Sequence, residues 1–224
     1  MRFKIENERS FVKRERSIGK LSGMPGRRSA VDALETRSAI LRRAADIASV
    51  EGLEGLTIGR LATELEMSKS GVVGQFGSKE ELQLATLEYA AEVFRERVWD
   101  PVRHLEPGLQ RLLGICDAWT RYADGDCFTG GCFIAAAQFE WDGRAGRVRD
   151  ALAVFTGTWR DALVADIERA VADGDLPAGT DPAQAAYSLE ALASGMNPAR
   201  QLHGDTNAAE WTLQAMRAVL RLPA

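Results

Sequence analysis

From about residue 37 onward, apolar side chains recur at intervals of three and four, the period of a helix with one buried face. Over 37–51 that face carries Ile40, Ala44, Ile47 and Ala48, with Thr36 placed to cap the start and Gly52 to end it. Ile58, Leu61, Ala62 and Leu65 predict a second helix over 58–65 behind Thr57. A break at Glu66-Met67-Ser68 leads into a short third helix, 69–75, closed by Phe76-Gly77. Ser78-Lys79-Glu80-Glu81 has the form of a capping box, with Ser78 as cap and Glu81 reaching back. It opens a long helix to Trp99 with Leu84, Leu87, Ala91, Phe94 and Val98 in one stripe, which Asp100-Pro101 breaks. Further helices are predicted over 107–123, 129–141, 144–173, 182–202 and 207–221. Gly174 is a stop, Asp181-Pro182 a cap followed by a first-turn proline, and Asn207-Ala-Ala-Glu210 a second capping box. Strand-like alternation is scarce and no internal repeat is present.

The pattern predicts an all-α chain. Residues 1–34 lack periodicity and hold Arg14, Arg16, Lys20, Arg27 and Arg28 among Gly23, Pro25 and Gly26, which reads as a flexible basic arm. Residues 35–82 form a three-helix unit, joined by the helix over 79–99 to a larger helical body over 100–224. Charge sharpens the division. The 224 residues carry a net charge of −4, but residues 1–43 hold twelve Lys/Arg against five Asp/Glu, a net of +7, leaving −11 on the rest. A basic end on an acidic body fits a chain that offers one end to a polyanion.

Other chemistries find little support. Three cysteines, Cys116, Cys127 and Cys132, do not make a disulfide framework. His104 and His203 lie far apart, without zinc or di-metal spacing, so neither metal nor cofactor is expected. There is no G-x-S-x-G, phosphate loop or dinucleotide fingerprint, which leaves a helical enzyme as the distant alternative. No apolar run reaches the ~18 residues of a membrane span. The first twenty residues are too charged for a secretory signal, so no membrane partner and a cytoplasmic location are expected.

Three short helices with a tight break between the second and third describe a helix-turn-helix, whose third helix offers its N-terminal residues to the major groove. Here that helix presents Lys69, Ser70, Gly71, Gln75 and Val72. Small side chains let the backbone approach, Gln pairs with adenine, and Lys pairs with guanine or phosphate. Thr57 and the Ser78-Lys79 pair stand at helix N-termini, where free N–H groups suit phosphate. The stretch from Ile40 to Leu82, and above all Ser68-Lys-Ser-Gly, Phe76 and Ser78-Lys-Glu-Glu-Leu82, resembles the DNA-binding domain of the tetracycline-repressor (TetR) family.

The resemblance implies a dimeric repressor that binds a palindromic double-stranded operator through its N-terminal domain and is released when its C-terminal domain binds a small effector. Carried over, Thr57 and Lys79 contact phosphate and Lys69, Ser70, Gly71 and Val72 begin the recognition helix; Arg42, Ser68, Gln75 and Ser78 complete the expected DNA-binding set. An activator, or a DNA-binding protein without an effector, fits the same residues. One departure stands out: where the family often has a phosphate-contacting tyrosine this chain has Val73, followed by Gly74. Two glycines in so short a helix cost roughly 1–2 kcal/mol of helix propensity. The expectation is that DNA affinity shifts onto the basic arm and Arg37, Arg42 or Arg43.

In the body, Trp119, Tyr122, Phe133, Phe139, Phe155 and Trp159 are candidates to line an effector pocket, with Glu140, Arg121 and Gln138 as polar contacts. They favour an apolar or aromatic effector. Phe128-Thr-Gly-Gly-Cys-Phe resembles a stretch in one branch of the family, and its glycines permit a close helix approach or a sharp turn. Cys127 and Cys132 read as buried thiols rather than a redox pair. Small-residue stripes, Ala151, Thr158, Ala162 and Ala165 on one helix and Ala186, Leu189, Ala193 and Met196 on the next, are expected to form a symmetric four-helix dimer interface.

Overall fold

The structure is a computed structural model and describes residues 25–125 and 127–221. Nine α-helices and no strand are found among these residues. They are α1 (Pro25–Gly55), α2 (Ile58–Glu64), α3 (Lys69–Phe76), α4 (Lys79–Phe94), α5 (Leu109–Asp124), α6 (Phe133–Trp141), α7 (Arg147–Ala172), α8 (Pro182–Gln201) and α9 (Ala208–Val219). A π-helical turn, Arg95–Trp99, extends α4 to the expected break. None of these helices is long and apolar enough to cross a membrane.

The largest difference from expectation lies in α1. The basic arm expected over 1–34 falls outside the described residues up to 24, whereas 25–34 are helical and Thr36 sits inside α1 rather than capping it. Gly52, with φ +79° and ψ 161°, breaks the helix where expected, and one further turn follows it. The later signals differ in detail. Ser78 caps α4 by accepting from the Glu81 amide at 3.1 Å, but the Glu81 carboxylate goes to Arg147 of α7 instead of reaching back. Asp181 caps α8 through the amides of Ala183 and Gln184. Asn207 makes no side-chain cap for α9.

Two apolar cores result, and α1 and α4 serve both. Ile40, Ala44 and Ile47 of α1 pack with Leu61, Val72, Phe76 and Leu82 in a small head, while Ala45, Ala48 and Leu53 of the same helix face the body. Along α4, Leu82 and Ala85 belong to the head and Leu87, Ala90 and Phe94 to the body. The head is therefore not a bead on a linker, because two of its helices are built into its neighbour.

One ion pair braces the body. The Asp166 side chain on α7, 1% exposed, accepts from Arg111 Nη2 and Nε at 2.7 and 2.9 Å and from the Gly108 amide at 3.1 Å. Gly108 has no side chain to cap α5, so a carboxylate from a distant helix does so. Breaking a buried pair by removing one charge typically costs about 3–5 kcal/mol. Asp166→Asn is expected to destabilise the fold by about 3 kcal/mol, read as a lowered midpoint in urea unfolding, whereas Asp173→Asn, which breaks an exposed pair to Arg169, stays within about 1 kcal/mol of the parent.

Candidate nucleic-acid interface and effector cleft

The third helix, α3, is rooted at two points. Val72 is 0% exposed and Phe76 is buried one turn on, both in the head core. Val72, expected to face DNA, therefore cannot, because it is the apolar anchor of the helix. The outward face carries Lys69, Ser70, Val73 at 39% exposure and Gly74. Val73, at the family's phosphate-contacting position, and Gly74 are surface residues, as the i, i+4 pair Val72/Phe76 requires by marking the buried side. Ser68 caps the helix, accepting from the Gly71 amide at 3.0 Å, and its hydroxyl lies 3.1 Å from that of Ser70. Gly71 is half-buried against Ser68, whereas Gly74 has open space where a side chain would stand. Gln75 is also half-buried, and its carbonyl accepts from Arg37 Nη1 at 2.6 Å. The Arg37 guanidinium lies over the Phe76 ring, 4.3 Å from its centroid, so Arg37 holds the end of α3.

Thr57 and Ser78 are exposed caps, Thr57 accepting from the Arg60 amide at 3.1 Å. Most cations around them are engaged. Lys79 Nζ donates to the Glu54 carbonyl at 2.8 Å and to Glu54 Oε1 at 2.7 Å, and the second of these bonds holds the Glu54 carboxyl below its ordinary range. Arg43 joins Asp46 and Glu64, and Arg60 joins Glu64 and Glu51. Among the described residues of the head, Arg42 and Lys69 are the exposed cations without an internal partner.

Between head and body, the last turn of α1 is held from both sides. Glu140 of α6 accepts from the amides of Leu53 and Glu54, at 2.7 Å to Oε2 and 2.8 Å to Oε1. From α4, Gln83 Nε2 donates to the Leu53 carbonyl at 2.8 Å, alongside the Lys79 bond to Glu54. Glu140, expected as an effector contact, is thus a backbone cap. The Gly-Gly stretch lies beside it. Thr129 donates through its amide and hydroxyl to Asp46 Oδ1 at 2.8 and 2.6 Å, and the Gly130 amide donates to Ser49 Oγ at 2.9 Å. A first side-chain carbon on Gly130 would lie 2.0 Å from the Ser49 carbonyl oxygen. Gly131, at φ +80°, turns the chain so that the Cys132 amide reaches Asn197 Oδ1 of α8 at 2.8 Å. Close approach and sharp turn are both realised.

In the body, Phe94, Trp119, Phe155 and Trp159 form an edge-to-face cluster with centroids 5.0–5.9 Å apart. They line a cleft with Gln138, Thr156, Glu190 and Ser194. Its volume is about 30 Å³, room for little more than a water or two. Tyr122 packs edge-on against Phe94 and Phe133 is fully buried beside Phe128, so both are core. Phe139 is 69% exposed and does not line the cleft. Arg121 is exposed and paired with Asp117. The Trp159 indole N–H is buried without a hydrogen-bond partner. Burial raises the Glu190 carboxyl against the opposing effect of Arg160 at 2.6 Å. Burial also pushes the Cys116 thiol up to about 12 and raises Cys132, which keeps both protonated.

The small-residue stripes separate. Ala186, Leu189, Ala193 and Met196 are buried inside the protomer, where α8 packs on α7, α9 and α5, and cannot meet a second copy. Period alone does not tell an inward apolar stripe from an outward one. On α7, Ala151, Thr158 and Ala162 are half-buried and Ala165 is exposed, and Ala151 also lines a groove beside Arg37, Phe76 and Leu84. The outward face of α8 is instead Tyr187, Ala191 and Gly195, with Leu202 exposed just beyond it and Trp211 exposed on α9.

Comparison with known proteins agrees with this architecture. Residues 40–86 match the family described as bacterial regulatory proteins, tetR family, and residues 108–216 match the tetracyclin repressor-like C-terminal domain. The fold is similar to a TetR transcriptional regulator from Chloroflexus aurantiacus, at 23% identity and TM-score 0.77, covering 85% of this chain and 96% of that one. It is similar to Escherichia coli NemR in its reduced form, at 20% identity and TM-score 0.66, covering 84% and 99%. It is also similar to AibR, solved in complex with isovaleryl coenzyme A and operator DNA, at 21% identity and TM-score 0.64, covering 83% and 97%. No curated protein matches the sequence. With a reading head and a helical body each matched in turn, the chain belongs to the tetR family of transcriptional regulators.

Proposed function

We propose that this chain is a repressor that binds a palindromic operator as a dimer and releases it when a small apolar or aromatic effector enters the body. The observation that carries the reading is α3, anchored by Val72 and Phe76 with Lys69, Ser70, Val73 and Gly74 facing out at the head's surface. The second copy docks on the outward face of α8 and α9, around Tyr187, Ala191, Gly195 and Trp211, where exposed aromatics suit an interface centre. The effector enters the cleft by parting the edge-to-face ring cluster. It thereby favours a state whose two recognition helices no longer match half-sites about 34–36 Å apart. AibR, solved with both an acyl-coenzyme A and operator DNA, supports a regulator with two ligands. The first test is binding to the DNA upstream of the chain's own gene against an unrelated duplex. Selective, salt-sensitive binding is expected, and equal weak binding to both overturns the reading.

Charge assigns the basic segment a part in this binding. Residues 33–82 hold six Lys/Arg and eight Asp/Glu, a net of −2, whereas residues 1–32 hold nine against four, a net of +5. A head that is itself acidic and keeps half of its cations in internal ion pairs releases few counterions from DNA. Removing residues 1–24 is expected to flatten the slope of log affinity against log salt by about 3, at about 0.9 for each phosphate that the segment neutralises. An unchanged slope in a gel-shift or anisotropy titration refutes this.

Val73 has no hydrogen bond to offer, so at a base edge it reads a thymine methyl. Replacing the contacted thymine by deoxyuridine is expected to weaken binding of the parent roughly three- to tenfold and to leave Val73→Ala unaffected. Equal weakening in both proteins counts against this pairing. For the dimer, Ala191→Arg is expected to give a monomer by analytical ultracentrifugation, with operator binding reduced at least about tenfold. A variant that stays dimeric excludes this face.

A further inference from the structure

We propose that the Thr129–Glu140 segment is a two-point clamp that fixes the angle of the reading head, with Thr129, Gly130 and Glu140 as positioning residues for operator recognition. The proposal rests on the repressor reading and names the part of the body that aims the head.

The first point of attachment is Asp46 and Ser49, which receive three hydrogen bonds from Thr129 and Gly130. The second is the Leu53–Glu54 turn, whose two amides are bound by the Glu140 carboxylate. Asp46 and Leu53 are seven residues apart, about 10 Å along a helix. One attachment leaves a helix free to swivel, and two attachments that far apart do not. Both points bear on head residues directly. Ile47, beside Asp46, is in the head core, and Leu56, close after the Glu54 turn, is fully buried there before Thr57 opens α2.

The attachments are built to be tight. Gly52 departs from helical geometry at φ +79°, which frees the Leu53 and Glu54 amides from partners within α1. Glu140 meets both with a bidentate, charge-assisted contact, stronger than a neutral bond. Burial would raise the Asp46 carboxyl, but the two Thr129 donors and Arg43 outweigh it and hold it below its ordinary value, so it is ionised at neutral pH. Gly130 approaches α1 more closely than any residue with a side chain can. At its other end the loop is pinned to Asn197 on α8.

The same short segment lines the ring cleft. Cys132, Ile134, Ala135 and Gln138 face the cleft from residues that lie between the two attachment points. A nine-residue helix is too short to bend, so a ligand that displaces its cleft side moves Glu140 and the loop together. The head then turns about α1, and the distance between the two recognition helices of a dimer changes.

The test uses the full-length chain and an operator selected from a random duplex pool, resynthesised with one base pair added or removed at its centre. The parent is expected to bind the altered spacings much more weakly than the selected one. The double variant Glu140→Gln/Thr129→Val keeps the shapes, removes one acceptor oxygen and one donor hydroxyl, and is expected to cut that spacing penalty roughly tenfold. Gly130→Ala, which forces the loop off Ser49, is expected to act in the same direction. Asp166→Asn lowers overall stability without touching the clamp and is expected to keep the full penalty. A full penalty in the double variant overturns the proposal, as does an equal drop in penalty in Asp166→Asn.

A second measurement stands apart from DNA. Hydrogen exchange over residues 49–57 is expected to quicken in the double variant with the unfolding midpoint nearly unchanged. Unaltered exchange there removes the clamp whatever the operator data show. If the parent selects no operator while exchange quickens as expected, the clamp between head and body stands and the repressor reading fails.

Discussion

The peptide units of Leu53 and Glu54 are the point on which the head's position depends. A helix that breaks at Gly52 leaves their amides without helical partners, and an amide shielded from water, as that of Leu53 is in part, must find an acceptor. Glu140 of the body supplies both acceptors, while Gln83 and Lys79 of α4 take the carbonyls of the same two residues. Three segments remote in sequence thus meet on two peptide units. The helix-turn-helix begins a few residues later, so whatever moves this turn moves α2 and α3.

The division of the cores follows the same logic. Head and body each have an apolar interior, but α1 and α4 contribute opposite faces to both. A shared helix transmits rotation, because its two packed faces cannot slip independently without opening one core or the other. Polar contacts then choose among the orientations that packing allows. Arg147 of α7 meets Glu80 and Glu81 at the head of α4, and Arg144 meets Glu54. Being exposed, these pairs contribute little stability, and their geometry adds to the orienting role of the better shielded Glu140 contact.

The recognition helix is economical to the point of bareness. Its anchors are apolar, its outward face is a lysine, a serine, a valine and a glycine, and the surrounding cations are mostly spent on neighbouring carboxylates. Such a face approaches a groove closely yet brings little charge to it. On the proposed reading, the basic residues that precede the head in sequence supply the charge this face lacks, which separates shape reading from electrostatic attraction.

Local signals were legible without a structure. The helical periods, the caps Thr57, Ser78 and Asp181, the stops at Gly52, Gly77 and Gly174, and the asymmetry of charge are all properties of neighbouring residues, and these caps and stops are realised, whereas Thr36 lies inside α1 and Asn207 makes no side-chain cap. The helix-turn-helix was legible for the same reason, since its three helices are adjacent in the chain. Which apolar face turns inward was not. Ala186, Leu189, Ala193 and Met196 look the same by period whether they meet a neighbouring helix or a second copy, and Val72 and Val73 differ only in where Phe76 and Leu82 lie. Nor did sequence reveal that Phe139 is outside the ring cluster, that Lys79 is held by Glu54, or that Glu140 caps a turn 87 residues away from it at Leu53. Secondary structure is written by interactions spanning three or four residues, and the sequence by itself determined it. Partnership across the core, and with it the aim of the head, is decided by groups that become neighbours only after the chain has folded.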